Sequence, residues 1–193
     1  MKARIKISKQ TYVISVSLYK GCYRHIKIAS DKTLEQLSQA ILFAFEFDND
    51  HLHAFFMDNR RWGADAYFAM AEHGQRDTSK FRLGQLGLVK DRKFIYLFDF
   101  GDEWCFSCKV LKVLEDTSEE TQIVRSIGDP PEQYPGYNDK YDSPGADGAG
   151  YAVYDDDEDD DAEYIDIKDE DEEAWKYGDS LYAAAFGFSS GKS

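Results

Sequence analysis

The chain has 193 residues, 42% of them hydrophobic and 15% aromatic, enough to bury a core without disulfide or metal staples. Its 23 Lys+Arg stand against 37 Asp+Glu, and the resulting net charge of -14 argues against nucleic-acid binding by the full-length chain. No apolar run nears the ~20 residues of a membrane span, and the odd count of three cysteines, Cys22, Cys105 and Cys108, is too small for a disulfide framework. Residues 1–7 alternate charged and apolar side chains, unlike a signal-peptide core. A reduced, cytoplasmic protein without membrane association is expected.

In chain order, residues 12–18 alternate, with Tyr12, Ile14, Val16 and Leu18 on one face and Val13, Ser15 and Ser17 on the other, as in a strand with unequal faces. Lys20-Gly21 marks a turn and residues 22–29 resume the alternation, which predicts a hairpin. Thr33 with Gln36 three residues later spells a capping box, and Leu34, Leu37, Ile41, Ala44 and Phe45 then share one helical face until Asp48-Asn49-Asp50. Residues 51–57 predict a third strand, residues 64–72 a short helix, and residues 81–88 a helical turn. Residues 93–99 form a β-prone run, Phe100-Gly101-Asp102-Glu103 turns, and residues 104–114 alternate again, giving a second hairpin. This order predicts an α+β fold with two layers, a mixed and mostly antiparallel sheet carrying one main helix, β-grasp-like in arrangement.

The charge is partitioned. Residues 1–114 carry +5 and residues 115–193 carry -19, with 14 acids and one Lys in residues 155–173. Such a block repels itself, and the stretch before it is rich in Pro, Gly, Asp and Tyr. The expected division is a domain of residues 1–127 and an irregular, acidic extension of residues 128–193.

Several groups invite chemistry. His51 and His53, two apart on the predicted strand, point to one face. With Asp99, Asp102 and Trp104 they form a candidate ligand face, and His51 and His53 are the candidate ligands if a divalent metal binds; no cofactor is otherwise expected. The alternative for the histidines is packing beside Trp104 with hydrogen bonds to loop carboxylates. Arg60, Arg61, Trp62, Lys80, Arg82, Lys90, Arg92 and Lys93 form a candidate basic patch for an anionic partner, or an ordinary solvated face. Cys105 and Cys108 spell Cys-x-x-Cys, but residues i and i+3 of a strand face opposite sides, so a shared metal or disulfide is not expected. Asp99-Phe100-Gly101 matches a kinase magnesium motif without its companions; Gly101 is expected to permit the turn, and Asp99 or Asp102 to bond its amides. Asp155, Asp157 and Asp159 match the first calcium-loop positions, but the sixth is Asp160 rather than Gly and the twelfth is Asp166. Trp175, Tyr177, Leu181, Tyr182 and Phe186 are apolar enough for the extension to dock, and docking in cis on the basic domain is one expectation.

Three segments, Asp48-Asn49-Asp50-His51-Leu52-His53-Ala54-Phe55, Phe81-Arg82-Leu83-Gly84-Gln85-Leu86, and Tyr96-Leu97-Phe98-Asp99-Phe100-Gly101-Asp102-Glu103-Trp104, together resemble the plasmid pRiA4b ORF-3-like family over roughly residues 10–135. The family's Pro-Pro-Ile-Trp-Arg-Arg is replaced by Lys20-Gly21-Cys22-Tyr23-Arg24-His25, and its cysteine-flanked Pro-Pro-Glu survives as Pro130-Pro131-Glu132 without the Cys. The resemblance implies a fold rather than an activity. A non-catalytic binding or adaptor module with an acidic regulatory or solubilising tail is the leading expectation. A metal-dependent hydrolytic enzyme on His51, His53, Asp99 and Asp102 is the second, and a DNA-associated protein linked to mobile elements, implied only by labels within the family, is the third.

Overall fold

β1 (Thr11–Tyr19) and β2 (Cys22–Ala29) form the expected hairpin, which Gly21 turns at φ +86°. Residues 10–115 and 120–134 are described in this computed structural model; the acidic extension from residue 135 on, with its Asp155/Asp157/Asp159 run and the apolar positions after it, lies outside them.

Helix α1 (Leu34–Ala44) starts as the capping box dictates: the Gln36 amide donates to Thr33 Oγ1 at 3.2 Å, and the Thr33 amide donates to Gln36 Oε1 at 3.0 Å. It ends before Asp48. Glu46 adopts φ +59°, and the Glu46 and Phe47 amides donate back to the carbonyls of Phe43 and Leu42 at 3.2 and 2.9 Å. That is a Schellman closure without its usual glycine. Arg24, buried inside the sheet's helix face, anchors the same end: its Nε donates to Ala44 O at 2.8 Å, its Nη1 to Ile127 O at 2.8 Å, and the guanidinium lies 4.8 Å from the Phe45 ring centroid.

The third strand, β3 (His53–Phe56), is shorter than expected and leaves His51 outside it. The helix expected over 64–72 does not form. Ala66–Phe68 instead makes β4, paired antiparallel with β3. β3 offers a free edge there, and Tyr67 is buried with its ring 4.9 Å from Phe81 and the Arg76 guanidinium 4.1 Å from it. Long-range pairing overrides local helix preference in so short a stretch. The turn over 81–88 contains a single 3-10 turn, Leu83–Gln85, preceded by another at Thr78–Lys80. β5 (Lys93–Phe98) and β6 (Trp104–Leu114) make the second hairpin. A seventh strand, β7 (Gln122–Ile127), was not expected; a bulge opposite His25/Ile26 breaks the alternation that would have revealed it.

The seven strands form one sheet in the order β4-β3-β5-β6-β1-β2-β7, every ladder antiparallel, with one isolated parallel bridge from Phe68 to Asp77. The fold is therefore α+β, a mostly antiparallel sheet with one helix. Tyr12, Ile14, Val16, Phe55, Tyr96, Phe98, Phe106, Cys108 and Val110 meet the helix in the main core. On the opposite face, Ala54, Phe56 and Leu97 form a second, smaller cluster with Phe100 and Cys105 beside it. Residues 58–65 fold back over this cluster, placing the Trp62 ring 5.6 Å from Phe56 and 5.3 Å from Phe100. Among the described residues, no helix is long and apolar enough to cross a membrane.

Candidate functional site

The segment between α1 and β3 delivers His51 to the mouth of the second hairpin. His51 Nε2 lies 3.7 Å from Asp99 Oδ2 and its Nδ1 lies 2.9 Å from Asp50 Oδ1. Its ring meets the Phe98 ring edge-on at 6.2 Å. The bond to Asp50 raises the His51 pKa against a smaller desolvation effect, and the charges of Asp99, Asp50 and Asp102 add to it. Tyr134 closes this group from the far end of the described chain. Its hydroxyl donates to Asp50 Oδ2 at 2.6 Å and lies 3.0 Å from His51 Nδ1. Desolvation and the bond to Asp50 push the Tyr134 phenol up to about 12. Gln133 fastens the strap: it accepts from the Asp48 amide at 2.6 Å and donates to the Asp48 carbonyl at 3.2 Å.

His53, the first residue of β3, sits under the N-terminus of α1 and is only 2% exposed, whereas the His51 side chain is 44% exposed. The two histidines therefore do not form an even pair. Burial lowers the His53 pKa to about 4, so the ring is neutral at neutral pH. Its Nε2 is buried without a hydrogen-bond partner, 3.4 Å from Glu35 Oε2. Glu35, in the first turn of α1, is held there by Thr78 Oγ1, which donates to its Oε2 at 3.0 Å. Glu35, Asn49, His51, His53, Asp77 and Ser79 line a cleft of about 340 Å³, with Leu52, Ala69 and Met70 supplying apolar surface.

Of the expected ligand face, His51 and Asp99 come together. Asp102 stays exposed in the turn, and Trp104 packs inward, its ring 4.9 Å from Phe47. Among the described residues, no group of three or more His, Cys, Asp and Glu side chains is arranged to hold a metal ion. The turn itself differs in detail from expectation. Asp99 and Glu103, at φ +55° and +51°, carry the left-handed backbone rather than Gly101, while Asp99 Oδ1 does accept from the Gly101 amide at 2.9 Å.

The expected basic patch is dispersed. Arg61 pairs with Glu103 at 3.0 Å, and the Trp62 indole donates to the same carboxylate at 3.0 Å. Arg60 lies 3.8 Å from Asp58, and Lys80 lies 3.4 Å from Asp77. Arg82 donates to the Asp31 carbonyl near α1, and Arg92 to the Met57 carbonyl at 2.7 Å. Lys90 lies on a separate groove with Lys112, and Lys93 opens β5 on the face away from the helix. Cys105 and Cys108 are free thiols on opposite faces, both with pKa raised by burial.

Glu35, Gln133 and Tyr134 were missed by sequence reasoning. Glu35 lies between the capping residues Thr33 and Gln36 and drew no reading of its own, and Gln133-Tyr134 fell beyond the expected domain end, in a Pro-rich stretch with no periodicity to place it.

Comparison with curated proteins gives no match. Among solved structures, the chain is similar to a protein of unknown function, MM3350 from Methanosarcina mazei Go1, at 26% identity and a TM-score of 0.48; the match covers 55% of this chain and 62% of that one. The family model described as plasmid pRiA4b ORF-3-like protein matches residues 10–176. The three motif segments quoted above all fall within that range, and the chain belongs to the plasmid pRiA4b ORF-3-like family.

Proposed function

We propose that the protein is a binding module whose cleft beneath the N-terminus of α1 takes a cationic hydrogen-bond donor, an amine or guanidinium on an extended apolar stem. The observation that carries this reading is His53 Nε2, buried without a hydrogen-bond partner and 3.4 Å from the Glu35 carboxylate. A buried polar atom left unsatisfied costs about 1–3 kcal/mol, and a donor reaching both acceptors from the cleft would satisfy both. The ring, neutral at neutral pH, can present Nε2 as an acceptor when Nδ1 carries the proton. Asp77 adds negative charge to the cleft wall, and Leu52 and Met70 offer a rim for methylenes. A β-grasp-like arrangement, supported by the hairpin-then-helix order, and a cytoplasmic location, supported by three free cysteines, belong to the same reading.

The test is a titration of the full chain with N-acetyl-argininamide, followed through the ring nitrogen resonances of His53. A saturable shift is expected, weakened at least tenfold by Glu35→Gln. That variant sits at the cleft's solvent edge, where loss of charge leaves the core intact. Absence of a shift, or an equal response to an acidic analogue, overturns the proposal.

A further inference from the structure

Away from the helix, the sheet carries a line of charge that no sequence window contains. In the ladder registers, Lys93 on β5 stands opposite Lys109 on β6, Lys109 opposite Ser15 on β1, Ser15 opposite His25 on β2, and His25 opposite Arg125 on β7. Residues opposite each other in a ladder share a face, so these five form one row across five strands, about 19 Å long at the usual strand spacing; Lys93, Lys109 and Arg125 carry its charge, while Ser15 is uncharged and His25 is buried and neutral at neutral pH. Lys27 and Lys112, both opposite Val13, lie one row along on the same face. The small side chains Ser15, Ser17 and Ser107 leave the middle of the face low, and the Arg125 guanidinium lies 6.0 Å from the Tyr23 ring at one end. Asp91 offsets part of the charge through its 3.1 Å ion pair with Lys109. The helix covers the other side of the sheet, and among the described residues the Trp62 loop covers this side near β3 and β5.

A basic row on a sheet face suits an anionic, extended partner. Residues 155–173 of this chain carry 14 acids and one Lys. Twenty residues separate them from Tyr134, and a chain of that length spans at most about 70 Å, more than a domain of this size requires. Tethering makes the encounter intramolecular and raises the effective concentration to the order of millimolar. A free nucleic acid must instead approach a chain of net charge -14. We propose that the acidic segment 155–173 docks in cis on the row of Lys93, Lys109 and Arg125, flanked by Lys27 and Lys112, and shields it from other polyanions. This surface differs from the expected Arg60/Arg61/Arg82/Arg92 patch and shares only Lys93 with it.

The full chain is treated with a zero-length carbodiimide, which joins lysine amines directly to carboxylates in contact with them, and the joined peptides are mapped by mass spectrometry. Bonds from Lys27, Lys93, Lys109 and Lys112 to residues 155–173 are expected, unchanged by dilution and lost near molar salt, where the Debye length falls to about 3 Å. Equal joining to Lys32 and Lys80, on the helix side, overturns the proposal. So does its dependence on protein concentration, which would mean docking between chains. In a second full-length protein, the acids of 155–173 become Asn and Gln. At low salt this variant is expected to bind a fluorescent oligothymidylate at least tenfold more tightly than the natural chain. Equal binding by the two would mean that the face is open to nucleic acid and the segment lies elsewhere.

Discussion

Along β6, Trp104, Phe106, Cys108 and Val110 pack under the helix, while Cys105, Ser107 and Lys109 point the other way. The two faces of one strand thus meet opposite environments. The helix face is a continuous apolar layer in which polar groups are few and individually held, such as Arg24 at the end of α1 and the Ser38 hydroxyl 2.7 Å from Tyr96. The other face is divided: apolar and covered by the Trp62 loop near β3, basic and low near β1 and β2. Sheet pleating makes the division possible, because alternate residues answer to different selective demands at no cost to the ladder. The comparison also teaches where specific recognition can reside. The cleft at His53 lies at the margin of the helix layer, where burial is deep enough to make an unsatisfied nitrogen costly, whereas the basic row works through long-range charge.

The sharpest way to break this comparison is to truncate neighbours on β6. Phe106→Ala should cost about 4 kcal/mol, the range for aromatic-to-alanine changes in a packed core, while Ser107→Ala on the opposite face should stay within about 0.5 kcal/mol. Urea unfolding of both variants checks it; similar losses would mean that the second face is packed as tightly as the first.

A pH series sharpens it, because each face holds a buried histidine. His53 is depressed to about 4 by burial, and His25 to about 4 by burial with the Arg125 charge adding. The unfolded side chains titrate near 6.5. Between those values the unfolded chain binds protons that the folded chain refuses, so stability is fully present above pH 6.5 and lost as pH falls toward 4. The full loss is about 3 kcal/mol for each histidine. Urea midpoints from pH 7 down to 4 should fall accordingly, and replacing either histidine with Gln should remove about half the slope. A flat profile would show that water or a bound group reaches both rings.

The smallest effect tests how the helix layer positions the cleft. Thr33→Ala removes the cap of the turn that carries Glu35 and should cost about 1 kcal/mol. It should also weaken any response of His53 to N-acetyl-argininamide, since Glu35 is the second residue of α1. Lost stability with an unchanged response would mean that Thr78, rather than the cap, orients the carboxylate.

Local signals were legible in the sequence wherever neighbours along the chain decide the outcome. The first hairpin, the Thr33–Gln36 capping box and the 104–114 strand all emerged as read, because alternation, capping and turn chemistry act over a few residues. The family resemblance emerged for the same reason, being carried by short ordered segments. Asp99 was named as a partner for His51 only on condition that their strands were neighbours, and it is the pairing of β3 with β5 that meets the condition.

What failed was what long-range pairing decides. Residues 66–68 became a strand because β3 offered an edge, and β7 was hidden by a bulge whose partner lies on β2. Glu35 reached His53, and Gln133 and Tyr134 reached Asp48, Asp50 and His51, only through contacts spanning tens of residues. The basic row belongs to the same class. Lys93, Lys109 and Arg125 are unremarkable on their own strands, and only the sheet's register brings them into line. Composition and local pattern determined the chain's class, its first elements and its uneven charge. Tertiary structure alone decided which charges stand together and which polar atoms, His53 Nε2 among them, are buried without a partner, because those depend on strand order and register rather than on any residue's own preference.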